Sequence, residues 1–112
     1  MRRFNPASER PARAVQCWQI LVGAAMHRQT LSLRLLAQAM YGKPDPHPQL
    51  ADVLAHVAWY CADEKLPPLA AIVVQPAKPV TDTQREAVYA YDWFDVYPPT
   101  ADELARAFAR PR

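Results

Sequence analysis

Apolar residues recur every three or four positions in three stretches of this chain, and each stretch predicts a helix. From Ala12 to about His27 the stripe is Ala14, Cys17, Trp18, Leu21, Val22 and Ala25. Trp18 is its anchor, and Arg13, Gln16, Gly23 and His27 fall on the other side. Leu33, Leu36, Ala37 and Met40 mark a shorter helix, Leu33–Tyr41. Ser32 before it is a suitable N-cap, because its hydroxyl accepts an orphaned amide hydrogen of the first turn. Gly42 after it can end the helix in a left-handed conformation. A third helix is predicted from near Pro48, with Leu50, Val53, Leu54, Val57, Ala58 and Cys61 buried and Gln49, Asp52, His56, Tyr60 and Asp63 facing outward. The run Lys65-Leu66-Pro67-Pro68 stops it.

Period-two alternation is scarce. Leu69–Gln75, LAAIVVQ, is short, β-branched and bounded by prolines, which predicts a strand. A lone strand needs a partner for its backbone groups, and the connection Gln29–Ser32 is the most economical one. Pro76–Asp82 reads as a loop. Thr83-Gln-Arg-Glu86 and Thr100-Ala-Asp-Glu103 both carry the capping-box pattern and predict helices at about 84–94 and 101–109, separated by Pro98-Pro99. The aromatics Tyr89, Tyr91, Trp93 and Phe94 alternate well enough to leave a strand as the other option.

Residues Gln29–Glu64 therefore outline helix, proline-rich turn, helix, with KPDPHP stiffening the turn. The order helix, short strand, helix, turn, helix, strand is that of a winged helix-turn-helix. On the segment CWQILVGAAMHRQTLSLRLLAQAMYG the chain resembles the opening of the DNA-binding domain of O6-alkylguanine-DNA alkyltransferases and alkyltransferase-like proteins. Those domains combine an aromatic-anchored helix, a short segment ending in a small hydroxyl residue, and a helix of LA-x-x-x-G type. The resemblance implies a DNA-binding fold over about residues 14–75. It does not imply alkyl transfer, because the accepting Pro-Cys-His-Arg motif is absent and LPPLAAIVV stands near its place.

The expected fold is mainly α, a winged-helix or helix-turn-helix domain with a two- or three-stranded sheet over residues 12–112, preceded by a flexible basic arm at 1–11. A chain of 112 residues can bury roughly 65% of its unfolded surface without disulfides or metals. No apolar run approaches the roughly 18 residues of a membrane span, and no signal-type apolar core follows the N-terminal arginines, so a cytoplasmic location is expected.

Net charge is +2, but the distribution is uneven. Arginines load both ends, whereas Pro44–Glu64 contains four acids and Glu86–Ala105 five, with no Lys or Arg in either. Since phosphate neutralisation by Lys and Arg dominates nucleic-acid affinity, an acidic third helix is a poor recognition helix. Any nucleic-acid contact is expected from Arg2, Arg3, Arg10, Arg13, Arg28, Arg34 and Lys43. A protein partner would instead meet an acidic and aromatic surface, Asp52, His56, Tyr60, Tyr89, Asp92, Trp93 and Asp95.

Chemistry is not indicated. His47 and His56 are nine residues apart and His56 and Cys61 five, neither a one-face spacing for a metal. Cys17 and Cys61 sit beside aromatics in helical patterns and read as free, buried thiols. Only two glycines are present, too few for a phosphate loop. No cofactor and no catalysis are expected. The reading is a non-catalytic binding protein in the regulation of a nucleic-acid process. The alternative is a small phage or mobile-element inhibitor or adaptor that binds a host protein complex through the acidic-aromatic surface.

Overall fold

In a computed structural model of the protein, residues 6–43, 49–74 and 82–110 are described, the first four of them by their backbone alone. The chain is mainly α with one small parallel sheet. Helix α1 spans Pro6–Met26, β1 Leu31–Ser32, α2 Leu33–Tyr41 and α3 Leu50–Asp63. A 3₁₀ turn at Leu69–Ile72 leads into β2, Val73–Val74. Helix α4 is Asp82–Ala90, a second 3₁₀ turn covers Trp93–Asp95, and α5 is Ala101–Ala109.

Local chemistry sets several of these boundaries. The Leu35 amide donates to Ser32 Oγ at 3.1 Å, and Gly42 closes α2 at φ +74° with its amide on the Gln38 carbonyl at 3.0 Å. Only glycine takes that φ without a Cβ penalty. At α5 the capping box is complete: the Glu103 amide donates to Thr100 Oγ1, and the Thr100 amide donates to Glu103 Oε1, each at 3.2 Å. The expected pairing of the Leu69–Gln75 region with Gln29–Ser32 is present, as a parallel ladder of Leu31 with Val73 and Ser32 with Val74.

Four boundaries differ from expectation. Helix α1 starts at Pro6, not Ala12, since proline is suited to a first helical position, and it continues through Pro11. The strand is only Val73–Val74, because its first four residues wind into a 3₁₀ turn that buries Leu69, Ala71 and Ile72. Helix α4 starts at Asp82, so Thr83 lies inside it rather than at its cap. It ends at Ala90, where the strand alternative for Tyr89–Phe94 also fails. The Asp92 carboxylate takes the Phe94 amide at 3.2 Å and nucleates a separate 3₁₀ turn. The prolines of the turn at 44–48, the loop at 75–81 and residues 1–5 lie outside the described residues.

One core joins the elements. Helix α1 packs on α3 and α5, and α3 packs on α5, with the first 3₁₀ turn beneath them. Ala14, Cys17, Trp18, Leu21, Leu36, Val53, Val57, Ile72, Val88 and Leu104 fill the interior. No described helix is long and apolar enough to cross a membrane.

Candidate functional site

The basic residues divide by what they touch. Arg13, at the middle of α1, donates from Nη1 to the Met40 carbonyl at 2.7 Å and to Gln16 Oε1 at 2.9 Å, and its guanidinium lies 4.8 Å from the Tyr41 ring centre. It ties α1 to the last turn of α2, whose carbonyls lack helical donors. Arg13→Ala should therefore lower stability by about 1–2 kcal/mol in denaturant titrations, an effect of hydrogen bonds to a charged group. An unchanged midpoint would return Arg13 to the contact surface. Arg10 is partly buried, 3.4 Å from Asp52 and 4.9 Å from the centre of the Phe108 ring. Arg28 is exposed, takes φ +54° at the end of the α1–β1 turn, and reaches Glu86 at 3.6 Å. Arg34 and Lys43 are exposed at the two ends of α2. Arg2 and Arg3 lie outside the described residues.

Of the residues expected on an acidic-aromatic face, two are interior. His56 is 1% exposed, against the outward position its spacing suggests. Its Nδ1–H donates to the Asp52 carbonyl at 2.7 Å, and its ring stacks on Phe108 of α5 at 4.2 Å with planes 5° apart. Burial holds its pKa below the usual imidazole value; the Asp52 carbonyl opposes that shift, the Arg10 charge reinforces it and the Asp52 charge opposes it. The reason for the burial is that α3 is covered on two sides. Val53, His56 and Tyr60, at i, i+3 and i+7, make a second inward edge, while Ala58, expected inside, is exposed.

Trp93 is the other interior residue, 4% exposed, with Nε1–H donating to the Val88 carbonyl at 2.7 Å. It stands edge-on to Trp18 at 5.8 Å. Tyr60 is half-buried and also stands edge-on to Trp18, at 5.6 Å; burial, then the Glu103 and Glu64 charges, push its phenol pKa up. Tyr89 is half-buried against the core, and Asp92 is occupied as the turn cap. Asp52 and Asp95 are exposed.

Two rings that the expected acidic-aromatic set leaves out, Phe94 and Tyr97, lie next to Trp93. With that ring pinned inside, the turn throws Phe94 out to 82% exposure and Tyr97 to 91%, with Tyr91 at 40%. Phe94, Asp95, Val96, Tyr97 and Pro98 line an open cavity of about 290 Å³. The signal was available in the three-residue spacing of Tyr91, Phe94 and Tyr97 within a segment that has no Lys or Arg. A second cavity, about 310 Å³, lies between α3 and α5 and is lined largely by charges: Asp63, Glu64, Glu103, Arg106 and Arg110. Arg110 bridges it to Asp63 at 3.6 Å.

Both thiols are interior, and burial raises Cys17 to about 12 and Cys61 to about 11, which favours the protonated thiol at neutral pH. Among the described residues no three His, Cys, Asp or Glu side chains cluster as metal ligands. No family model, no curated protein and no solved structure matches this chain.

Proposed function

We propose that the protein is a non-catalytic binding module, a small inhibitor or adaptor, that engages a protein partner through the segment Tyr91–Tyr97. The observation that carries this reading is the pair Phe94 and Tyr97, almost fully exposed on a turn whose intervening geometry is fixed from inside by Trp93. Large aromatics grouped on a surface favour association, and a turn already held in one conformation loses little freedom on binding. Asp92 and Asp95 flank the rings and supply a polar rim.

A nucleic-acid role for the α2–α3 pair, on the winged-helix reading, is the second possibility and rests on Arg28, Arg34 and Lys43, which are exposed around α2. The exposed side of α3 speaks against it, being Ala51, Asp52, Ala58, Trp59 and Ala62 with no cation.

The test is affinity capture from the host lysate with the full chain and with Phe94→Ala/Tyr97→Ala. The double substitution should leave the melting curve in place and reduce capture of the partner at least about tenfold. Capture indifferent to both rings would sink the reading. So would duplex binding that weakens steeply between about 50 and 200 mM salt and is lost on replacing Arg28, Arg34 and Lys43.

A further inference from the structure

The geometry points to an arginine-bearing basic segment of a partner protein as the occupant of the Phe94–Tyr97 cavity, an inference that rests on the protein-binding reading above. The cavity combines two exposed rings with the exposed Asp95 carboxylate, inside a stretch, Glu86–Ala105, that carries five acids and no base. A planar guanidinium satisfies both features at once: it stacks on an aromatic face and forks onto a carboxylate. An ammonium is drawn to the ring face and to the carboxylate only as a point charge and neither stacks flat nor forks, so arginine is preferred over lysine.

The molecule makes this three-way pairing twice within itself. Arg10 lies 4.9 Å from the Phe108 ring centre and 3.4 Å from Asp52, and Arg28 lies 6.0 Å from the Tyr89 ring centre and 3.6 Å from Glu86. The third set of ring and acid, Phe94, Tyr97 and Asp95, has no cation of the chain against it among the described residues. Its volume of about 290 Å³ is enough for one long side chain. Neutral apolar partners would leave Asp95 without a counter-charge, and a nucleic-acid backbone would meet Asp92 and Asp95 as like charges.

The experiment is fluorescence anisotropy of the full chain with a labelled peptide of alternating glycine and arginine, its lysine counterpart serving as control. The arginine peptide should bind about fivefold or more tightly than the lysine peptide. Asp95→Asn and Phe94→Ala should each weaken it about tenfold, whereas Asp102→Asn, the same charge change on α5 outside the cavity, should leave it within about twofold. Equal binding of the two peptides, equal effects of Asp95→Asn and Asp102→Asn, or no binding would each overturn the assignment. Concentration-dependent self-association of the chain, abolished by Asp95→Asn, would overturn it as well, by filling the cavity from a second copy. Lysate capture that needs Phe94 and Tyr97 but is indifferent to Asp95→Asn would refute the basic occupant while leaving the protein-binding reading intact.

Discussion

Trp18→Ala should lower the stability of the protein by about 3–5 kcal/mol, the range for removing a buried tryptophan, and should do so at the upper end of it. Trp18 is 2% exposed and meets two aromatic edges, Tyr60 of α3 at 5.6 Å and 89°, and Trp93 at 5.8 Å and 82°. Edge-on pairs of this kind add about 0.5–1.5 kcal/mol each beyond buried area. For a domain whose total stability is of the order of 5–15 kcal/mol, the loss is a large fraction of the whole. Urea titration followed by far-UV circular dichroism reads it directly. A shift under about 1 kcal/mol would mean that α1 does not pack through this ring. The consequence reaches the surface: Trp93 is the root of the turn that presents Phe94, and Trp18 is one wall of the site that holds Trp93. Trp18→Ala should therefore weaken partner capture even under conditions where the chain remains folded, whereas Phe94→Ala weakens capture without moving the midpoint.

What could be read in advance follows from how local the cause is. Helix α2 is legible from residue to residue because Ser32 and Gly42 act on backbone groups a few positions away. The Thr100–Glu103 box is of the same kind. The partner of the short strand follows from the need to satisfy its backbone, although the parallel direction and the 3₁₀ start of Leu69–Ile72 do not. Spacing failed where a third element decides the environment. Ala58 counts as apolar in any periodicity, yet an alanine methyl carries little information about which side is dry, and α5 covers the His56 edge instead. The same holds for the candidate surface. Trp93 and Phe94 are neighbours of similar hydrophobicity, and which one turns inward depends on the 3₁₀ turn that Asp92 caps and on the bond from the Trp93 indole to the Val88 carbonyl. Arg13 looked like surface because arginine usually is; its occupation by the Met40 carbonyl depends on where α2 ends relative to α1.

Replacing His56 should have the second large effect, and it carries a pH signature that a purely apolar core residue lacks. His56→Ala removes a ring stacked 4.2 Å from Phe108, one of the contacts between α3 and α5, an expected loss of about 2–4 kcal/mol by analogy with other large-to-small core changes. In the parent protein burial holds the folded-state pKa of His56 below its unfolded value, so the neutral ring is the native form. The sign follows from linkage: as pH falls below about 6.5 the unfolded chain takes up the proton first, and stability declines until the folded-state pKa is reached. The contribution is complete above that range and lost through it. Arg10, close to the same Phe108 ring, disfavours the imidazolium further, while the Asp52 carbonyl and charge act in the other direction without overcoming burial. His56→Phe keeps a ring against Phe108 but cannot titrate. Between about pH 7 and 5, above the ordinary carboxylate range, its stability should fall less steeply than that of the parent. Parallel slopes in the two proteins, measured by urea titration at each pH, would show that His56 is protonated in the folded state as readily as in the unfolded one, and the stacked, neutral imidazole between α3 and α5 would have to be abandoned.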